Sequence, residues 1–330
     1  MYERLIFDVF KLLDKVRNYP MFVMFSGGKD STVVLDLIGR YVVKHGYDSD
    51  IYVVYNDVWL DPPPVREWVY SVLSYVKSWS NYKFNVVVIN PPRGKDFFTL
   101  MLERGWAAPV VRMHAPWCNK EMKTRPTARF IRRLMAVKGY RKVVYVVGAR
   151  ASESIRRRRS LRSLGAMEAL RSIRMEYLGE VFFLAPIYNW LTWQVFKYMK
   201  EFKRSVFGFS FEPLLSLYKY AVDGRLRVGC WVCPQVSRDY FMEMYVRDHP
   251  EYKILLDVRK KIIEISENPK YRTAISKNGH PSGRLTIEGR KLIALELKKL
   301  LSTDIGRKVM KDYLKSTYLE ELIDKVLNYD

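Results

Sequence analysis

Apolar positions along the chain follow two rhythms, and the change from one to the other predicts its elements. Over residues 1–19, Leu5, Ile6, Val9, Phe10, Leu12, Leu13 and Val16 recur at mostly helical spacing, which predicts an amphipathic entry helix packed on a sheet. An unbroken apolar run, Met21-Phe22-Val23-Met24-Phe25, then reads as a strand, and helical spacing returns over residues 32–43. Similar runs at residues 50–57, 84–90, 142–148 and 181–184 predict four further strands. Asp61-Pro62-Pro63-Pro64 opens a helix after the second strand, since proline is tolerated in a helix's first turn. Strands that are apolar throughout and alternate with helical segments are covered on both faces. The expected fold is α/β: a doubly wound, mostly parallel five-stranded sheet over residues 1–234. A basic, helical C-terminal region follows at residues 235–330, with its main turn signal at Asn278-Gly279-His280-Pro281-Ser282-Gly283. Neither repeats nor low-complexity segments are evident.

Between the first strand and its helix lies Ser26-Gly27-Gly28-Lys29-Asp30-Ser31. A strand that turns through two glycines into a helix aims free N–H groups and the positive end of the helix dipole at one point, which favours an anion such as phosphate. The Walker pattern does not fit, because Asp30 follows Lys29 and no glycine stands five residues before Gly28. Lys29 can neutralise phosphate, and Asp30 is suited to hold Mg²⁺ or orient a ligand. The polar end of the second strand, Asn56 and Asp57, falls where open α/β sheets place ligands.

Composition sharpens the picture in two ways. Fifty-seven Lys and Arg against 35 Asp and Glu leave a net charge of +22, which suits phosphate-rich partners; a thermophile surface is the bland alternative, although ion-pair networks need balanced charge. The cysteines number three, Cys118, Cys230 and Cys233, a count that argues against a disulfide framework and for metal binding or catalysis. No apolar run approaches the roughly 20 residues needed to span a bilayer, and the N-terminus lacks the order of a signal peptide, so a cytoplasmic protein with no membrane partner is expected.

The loop S-G-G-K-D-S resembles the hallmark of the PP-loop, or adenine-nucleotide α-hydrolase-like, proteins, and other segments resemble the phosphoadenylylsulfate (PAPS) reductase family within them. Trp117-Cys118-Asn119-Lys120-Glu121-Met122-Lys123-Thr124-Arg125-Pro126 is similar to that family's C-C-x-x-x-K-x-x-P segment. Gly148-Ala149-Arg150-Ala151-Ser152-Glu153-Ser154, followed by Arg156, Arg157, Arg158 and Arg159, is similar to its G-x-R-x-x-[EQ]-S-x-x-R. Pro186-Ile187-Tyr188-Asn189-Trp190, residues 195–198 and Arg227-Val228-Gly229-Cys230-Trp231-Val232-Cys233-Pro234 complete the set. The resemblance spans roughly residues 20–250. It implies an adenine nucleotide, ATP or a sulfonucleotide, held by Ser26, Gly27, Gly28, Lys29, Asp30, Ser31, Asn56, Asp57, Gly148 and Arg150. Lys29, Asp30 and Arg150 would carry the catalysis.

Cys230 and Cys233 form a C-x-x-C pair, and Cys118 stands 112 residues upstream. A redox dithiol is one reading. Three thiolates on one site is the reading favoured by the placement of Cys118 in a matched motif, with soft donors selecting an iron–sulfur cluster or zinc. Cluster-binding reductases resemble one another in having two adjacent cysteines in the first segment; here Asn119 takes the second place. Three thiolates leave one iron of a [4Fe–4S] cluster open, an arrangement that resembles the PP-loop tRNA thiolases. A Cys₃His zinc site using His114 or His249 competes. Arg150, Arg156, Arg157, Arg158, Arg159 and Arg162, with Arg112, Lys120, Lys123, Arg125, Arg129, Arg132, Arg133, Arg259, Lys260 and Lys261, are more cations than a small nucleotide needs and point to a polymer. Trp190, Trp193 and Tyr198 are read as core, and Trp231 as shielding a metal.

The expected activity is ATP-dependent sulfur transfer to tRNA or another nucleic acid. Sulfonucleotide reduction to sulfite is the alternative; it is disfavoured because the reductases of the family this chain resembles carry their nucleophilic cysteine in a C-terminal tail, and the 97 residues after Cys233 hold no cysteine. A nucleotide and nucleic-acid binder with a structural metal is the third reading. A homodimer is compatible with the sequence.

Overall fold

The computed structural model describes residues 2–79, 82–110, 116–152, 169–220 and 228–329. In chain order the main elements are α1 (Tyr2–Asp14), β1 (Met21–Met24), α2 (Lys29–His45), β2 (Ile51–Asn56), α3 (Pro63–Lys77), β3 (Phe84–Ile89), α4 (Phe97–Leu102), α5 (Trp117–Asn119) and α6 (Arg125–Lys138). They continue with β4 (Val144–Val147), β5 (Leu170–Met175), β6 (Gly179–Leu184), α7 (Thr192–Phe202), α8 (Glu212–Leu217), α9 (Tyr240–Asp248), α10 (Lys253–Glu267), β7 (Arg272–Ile275), β8 (Pro281–Leu285), α11 (Ile287–Leu301), α12 (Asp304–Ser316) and α13 (Leu319–Leu327). No described helix is long and apolar enough to cross a membrane.

The chain divides into two compact units, each assembled from separated stretches. The first comprises Met1–Asn56, Pro64–Ile89 and Thr127–Lys219; the second, Asp57–Pro63, Asn90–Pro126 and Tyr220–Asp330.

The first unit is built on a sheet in the order β3-β2-β1-β4-β6-β5. The pairs β1–β2, β1–β4, β2–β3 and β4–β6 are parallel, with Met21 opposite both Ile51 and Val144. Chain order runs outward from β1 in both directions, so the switch point lies between the carboxyl ends of β1 and β4, where such sheets leave a crevice. Met21, Phe22 and Val23 are fully enclosed at the centre. On one face Ala128 and Ile131 of α6 pack with Phe22, Tyr52, Val54 and Val181. α2 is tied to α7 by a buried carboxylate: Asp36 accepts bonds from Arg40 Nε (2.8 Å), Tyr198 Oη (2.6 Å) and the Val206 amide (2.6 Å).

The sheet has six strands, not the expected five. The additional strand, β5, pairs antiparallel with β6 at the sheet edge. Its sequence, Leu-Arg-Ser-Ile-Arg-Met, is not apolar throughout because an edge strand is half solvated, and arginines on an edge also discourage pairing with other chains. α2 begins at Lys29, three residues earlier than its apolar spacing suggests, so Lys29, Asp30 and Ser31 form its first turn.

In the second unit the helices α9–α13 enclose Leu255, Val258, Ile262, Ile293, Leu297, Met310 and Leu322. The turn-rich stretch around Gly279 is the tip of an antiparallel hairpin, β7–β8, in a region read from sequence as helical.

Candidate nucleotide and thiol sites

The glycine loop lies in the first unit. The Phe25 amide still bonds to Val54 O (2.9 Å), extending the β1–β2 pairing one residue beyond the strand. The chain then turns at Gly27, whose φ of +74° suits glycine; a Cβ there would fall 2.2 Å from Val69 Cγ2. Trp68 Nε1 donates to Gly27 O (3.0 Å) and fixes the turn against α3. Gly28 caps α2 without a side-chain bond, leaving backbone N–H groups as the donors at this helix end. Ser31 Oγ accepts from the Ser26 amide (3.2 Å), lies 3.1 Å from Ser26 Oγ and donates to Gly28 O (3.0 Å), so the two serines close the loop on itself.

Charges inside the loop are linked in a row. Lys29 Nζ pairs with Asp30 Oδ2 (3.1 Å), and Asp30 Oδ1 accepts from Arg150 Nε (2.7 Å). Arg150 is 1% exposed, and its Nη1 donates to Ser152 Oγ (3.0 Å), Thr192 Oγ1 (3.1 Å) and Trp190 O (3.4 Å). The guanidinium therefore orients Asp30 and anchors the end of β4 to the start of α7. Gly148 touches the loop directly: a Cβ on it would stand 2.6 Å from the Ser31 amide nitrogen. Ser26, Gly27, Gly28, Lys29, Asp30, Ser31, Gly148 and Arg150 are thus one cluster at the switch point. Asn56, at the end of β2, accepts from Thr127 Oγ1 (2.9 Å). Asp57 is fully buried in the second unit, where its Oδ1 accepts from the Trp59 amide (2.8 Å) and stabilises a turn in which Trp59 has φ +60°.

The three cysteines all lie in the second unit, each half-buried. Cys118 sits on α5, whose Trp117 stacks on Phe97 (5.2 Å between centroids) and donates through Nε1 to Ala107 O (2.8 Å). One π-turn, Lys120–Thr124, connects it to α6. The Cys233 amide bonds to Cys230 O (2.9 Å), and the Trp231 amide bonds to Leu60 O (2.9 Å). Cys230 Sγ lies 3.8 Å from Asp61 Oδ1. Burial pushes the Cys118 thiol up to about 11, with the Cys233 charge adding and the Lys123 ammonium opposing; Cys230 is raised further, by burial first, against Lys123 and with Asp61, Cys233 and Cys118 adding. Lys123 is in turn raised against the lowering effect of burial, because Cys230, Asp61, Cys118 and Cys233 all act on it. The three thiols and one amine therefore share an electrostatic environment.

Among the described residues no three Cys, His, Asp or Glu side chains converge as tightly as one metal ion requires. The donor chemistry of three thiols suits soft metals, either an iron–sulfur cluster or zinc. The enclosed Trp231 also carries an indole N–H with no hydrogen-bond partner among the described residues, a buried donor between two cysteines that suits a bound acceptor. His249 stacks on Tyr245 (4.4 Å) and sets Nδ1 3.7 Å from Glu251. His114, Arg112, Glu153, Ser154, Arg156, Arg157, Arg158, Arg159, Arg162 and Arg227 lie outside the described residues.

Two sequence expectations are corrected. Arg259 is not a surface cation for a polymer: it is buried, and donates to Cys233 O (3.1 Å) and Val236 O (2.6 Å), bracing the cysteine loop. Trp193 is 49% exposed and not core, while Trp190 and Tyr198 are buried. Sequence reasoning missed Tyr218, whose hydroxyl accepts from the Lys29 amide (3.2 Å), and Thr127 and Thr192; these are ordinary residues in unremarked segments, brought in by the tertiary fold.

A family model described as phosphoadenosine phosphosulfate reductase domain matches residues 20–236. Two uncharacterized proteins of Methanocaldococcus jannaschii, MJ0066 and MJ0973, are 28% and 24% identical over 237 and 234 residues, or 72% and 70% of this chain. The chain spans less than half of these relatives, 40% and 45% of their lengths. Among solved structures, the U34-tRNA thiolase NcsA from Methanococcus maripaludis with its [4Fe-4S] cluster aligns over 80% of this chain and 78% of its own, at 12% identity and a TM-score of 0.38, a likeness too loose to bear on function. The glycine loop, the buried arginine and the cysteine segments thus occur in a chain that belongs to the phosphoadenosine phosphosulfate reductase domain family.

Proposed function

We propose that this chain is an adenine-nucleotide enzyme that transfers sulfur to a nucleic acid, most consistently a tRNA, with Cys118, Cys230 and Cys233 holding an iron–sulfur cluster. The observation that carries the reading is the pairing of a loop built for a polyphosphate with three thiols that share one electrostatic environment around Lys123. At the loop, the α2 amides and Lys29 would receive the phosphates, and Asp30, held by Arg150, would orient Mg²⁺. The chemistry is adenylation of a base carbonyl oxygen with loss of pyrophosphate, followed by attack of sulfide-level sulfur from a donor outside this chain, the C–S bond forming as the C–O bond to AMP breaks and AMP leaves. A three-thiolate cluster, when bound, supplies soft-metal sulfur chemistry with one metal position not taken by a protein thiolate.

Charge supports a polymeric substrate. Residues 90–175 hold 21 Lys and Arg against 5 Asp and Glu, so this quarter of the chain carries most of the excess. Within it, residues 122–152 contain nine Lys and Arg and no acid. Arg129, Arg132 and Arg133 project from α6 as an exposed i, i+3, i+4 face, a spacing that suits successive phosphates. Sulfonucleotide reduction is the second reading, favoured by the description of the matched family.

The deciding experiment pairs metal and labile-sulfide analysis of anaerobically prepared protein with a pyrophosphate-release assay. Iron with matching sulfide, together with pyrophosphate release from ATP only when tRNA is present, supports sulfur transfer. Colourless zinc protein refutes the cluster, and sulfite release from a sulfonucleotide with a thiol donor establishes the reductase instead.

A further inference from the structure

The Lys29 amide is the first N–H of α2, one of the donors that a helix cannot satisfy internally and that a phosphate oxygen would take. In this structure it donates to the Tyr218 hydroxyl, 3.2 Å away. That hydroxyl also stands 3.6 Å from the position of a Cβ on Gly28, against the backbone of the loop's second glycine. The Tyr218 ring is buried, set edge-on against Phe196 at 5.4 Å and 5.4 Å from the Lys29 ammonium. It is carried on a single 3₁₀ turn, Tyr218–Tyr220, immediately after the short helix α8. A tyrosine oxygen therefore occupies the place where a phosphate oxygen would meet the first amide of the helix, beside the loop's lysine.

We infer that Tyr218 is a stand-in for the phosphate: its hydroxyl occupies the anion position in the nucleotide-free chain and is displaced when a polyphosphate binds. This rests on the reading of the loop as a nucleotide site. The physical basis is competition for one donor. An ionised phosphate oxygen accepts more strongly than a neutral phenol, so the phosphate wins, but part of its binding energy goes to breaking the tyrosine's bond. The tyrosine would thereby raise the affinity threshold for entry and favour ligands with enough phosphate charge to displace it.

The test is the Tyr218→Phe substitution, which keeps the ring against Phe196 and Lys29 and removes only the oxygen. Inorganic pyrophosphate and ATP are titrated by calorimetry into both proteins at fixed salt and Mg²⁺, with thermal midpoints confirming the fold. One net hydrogen bond removed from the competitor predicts pyrophosphate binding tighter by about two- to tenfold in Tyr218→Phe. Weaker binding would show that the hydroxyl donates to the phosphate and stays; equal binding would show that it plays no part; either overturns the inference and leaves the nucleotide site standing. If neither protein binds pyrophosphate or ATP, the nucleotide reading itself fails. Hydrogen–deuterium exchange on the unmodified chain gives an independent answer: pyrophosphate should slow exchange over residues 26–31 and speed it over 218–220, and slowed or unchanged exchange at 218–220 refutes the displacement.

Discussion

Gly148→Ala tests the geometry of the switch point with one methyl group. The Cβ would lie 2.6 Å from the Ser31 nitrogen and 2.8 Å from Ser31 Cα and Asp30 C, all backbone atoms of the first turn of α2. Ordinary contact begins near 3.4 Å, so the end of β4 and the loop must part by roughly 0.8 Å, and no side chain can rotate away to absorb it. Forcing a methyl group into such a packed contact costs about 1–3 kcal/mol. The same displacement would shift the backbone donors of the proposed anion site. At about 1.4 kcal/mol per factor of ten, a comparable loss in binding would weaken pyrophosphate roughly five- to a hundredfold. Urea denaturation reads the stability and calorimetry the affinity. A Gly148→Ala protein with unchanged stability and unchanged pyrophosphate affinity would refute the claim that this approach shapes the loop. Lost stability with intact affinity would confine the contact to a structural role.

Arg150→Met should cost about 1–3 kcal/mol of stability, measured by chemical denaturation, because Asp30 keeps its pair with Lys29 but loses the guanidinium, and Thr192 and Ser152 lose their donor. Cys118→Ser, Cys230→Ser and Cys233→Ser should each lower iron and labile sulfide after anaerobic reconstitution, with all three altered together abolishing the visible absorption. Reversing the α6 face with Arg129→Glu, Arg132→Glu and Arg133→Glu should weaken tRNA binding and flatten its salt dependence by about three contacts' worth while leaving pyrophosphate binding intact, as measured by filter binding across a salt series. Burial holds the Asp36 carboxyl above its ordinary value of 3.8, against the bonds from Arg40, Tyr198 and Val206. The native state therefore keeps a proton that the unfolded chain has released. The Asp36 contribution to stability should fall as pH rises from about 4 through the raised native value and then level off. Asp36→Asn should remove that slope in denaturation curves taken across pH.

Much of the first unit was legible because buried parallel strands are apolar from end to end, as in Ile51–Asn56 and Val144–Val147. β5 was not, since Arg171 and Arg174 at a solvated edge break the apolar run. The loop could be read as an anion site because glycine, lysine and helix onset are all local. Tyr218 could not, because its hydroxyl reaches Lys29 across 189 residues of sequence. Charge was legible only as a total: Arg259 counts as a cation in the sequence but is spent on two carbonyls behind Cys233, whereas Arg129, Arg132 and Arg133 remain at the surface. Trp193 shows the limit of residue type as a guide to burial, being at the start of α7 and half-exposed beside a buried Trp190.

The second unit is assembled from Asp57–Pro63, Asn90–Pro126 and Tyr220–Asp330. During synthesis its first two stretches leave the ribosome long before the third, and Cys118 must wait for Cys230 and Cys233 across 112 residues, most of which belong to the other unit. Closing so long a loop is slow. A cluster held by all three thiols, as proposed, would therefore load only after Cys233 has been made, and until then Cys118 would stand without its partners, open to oxidation and to capture of stray metal.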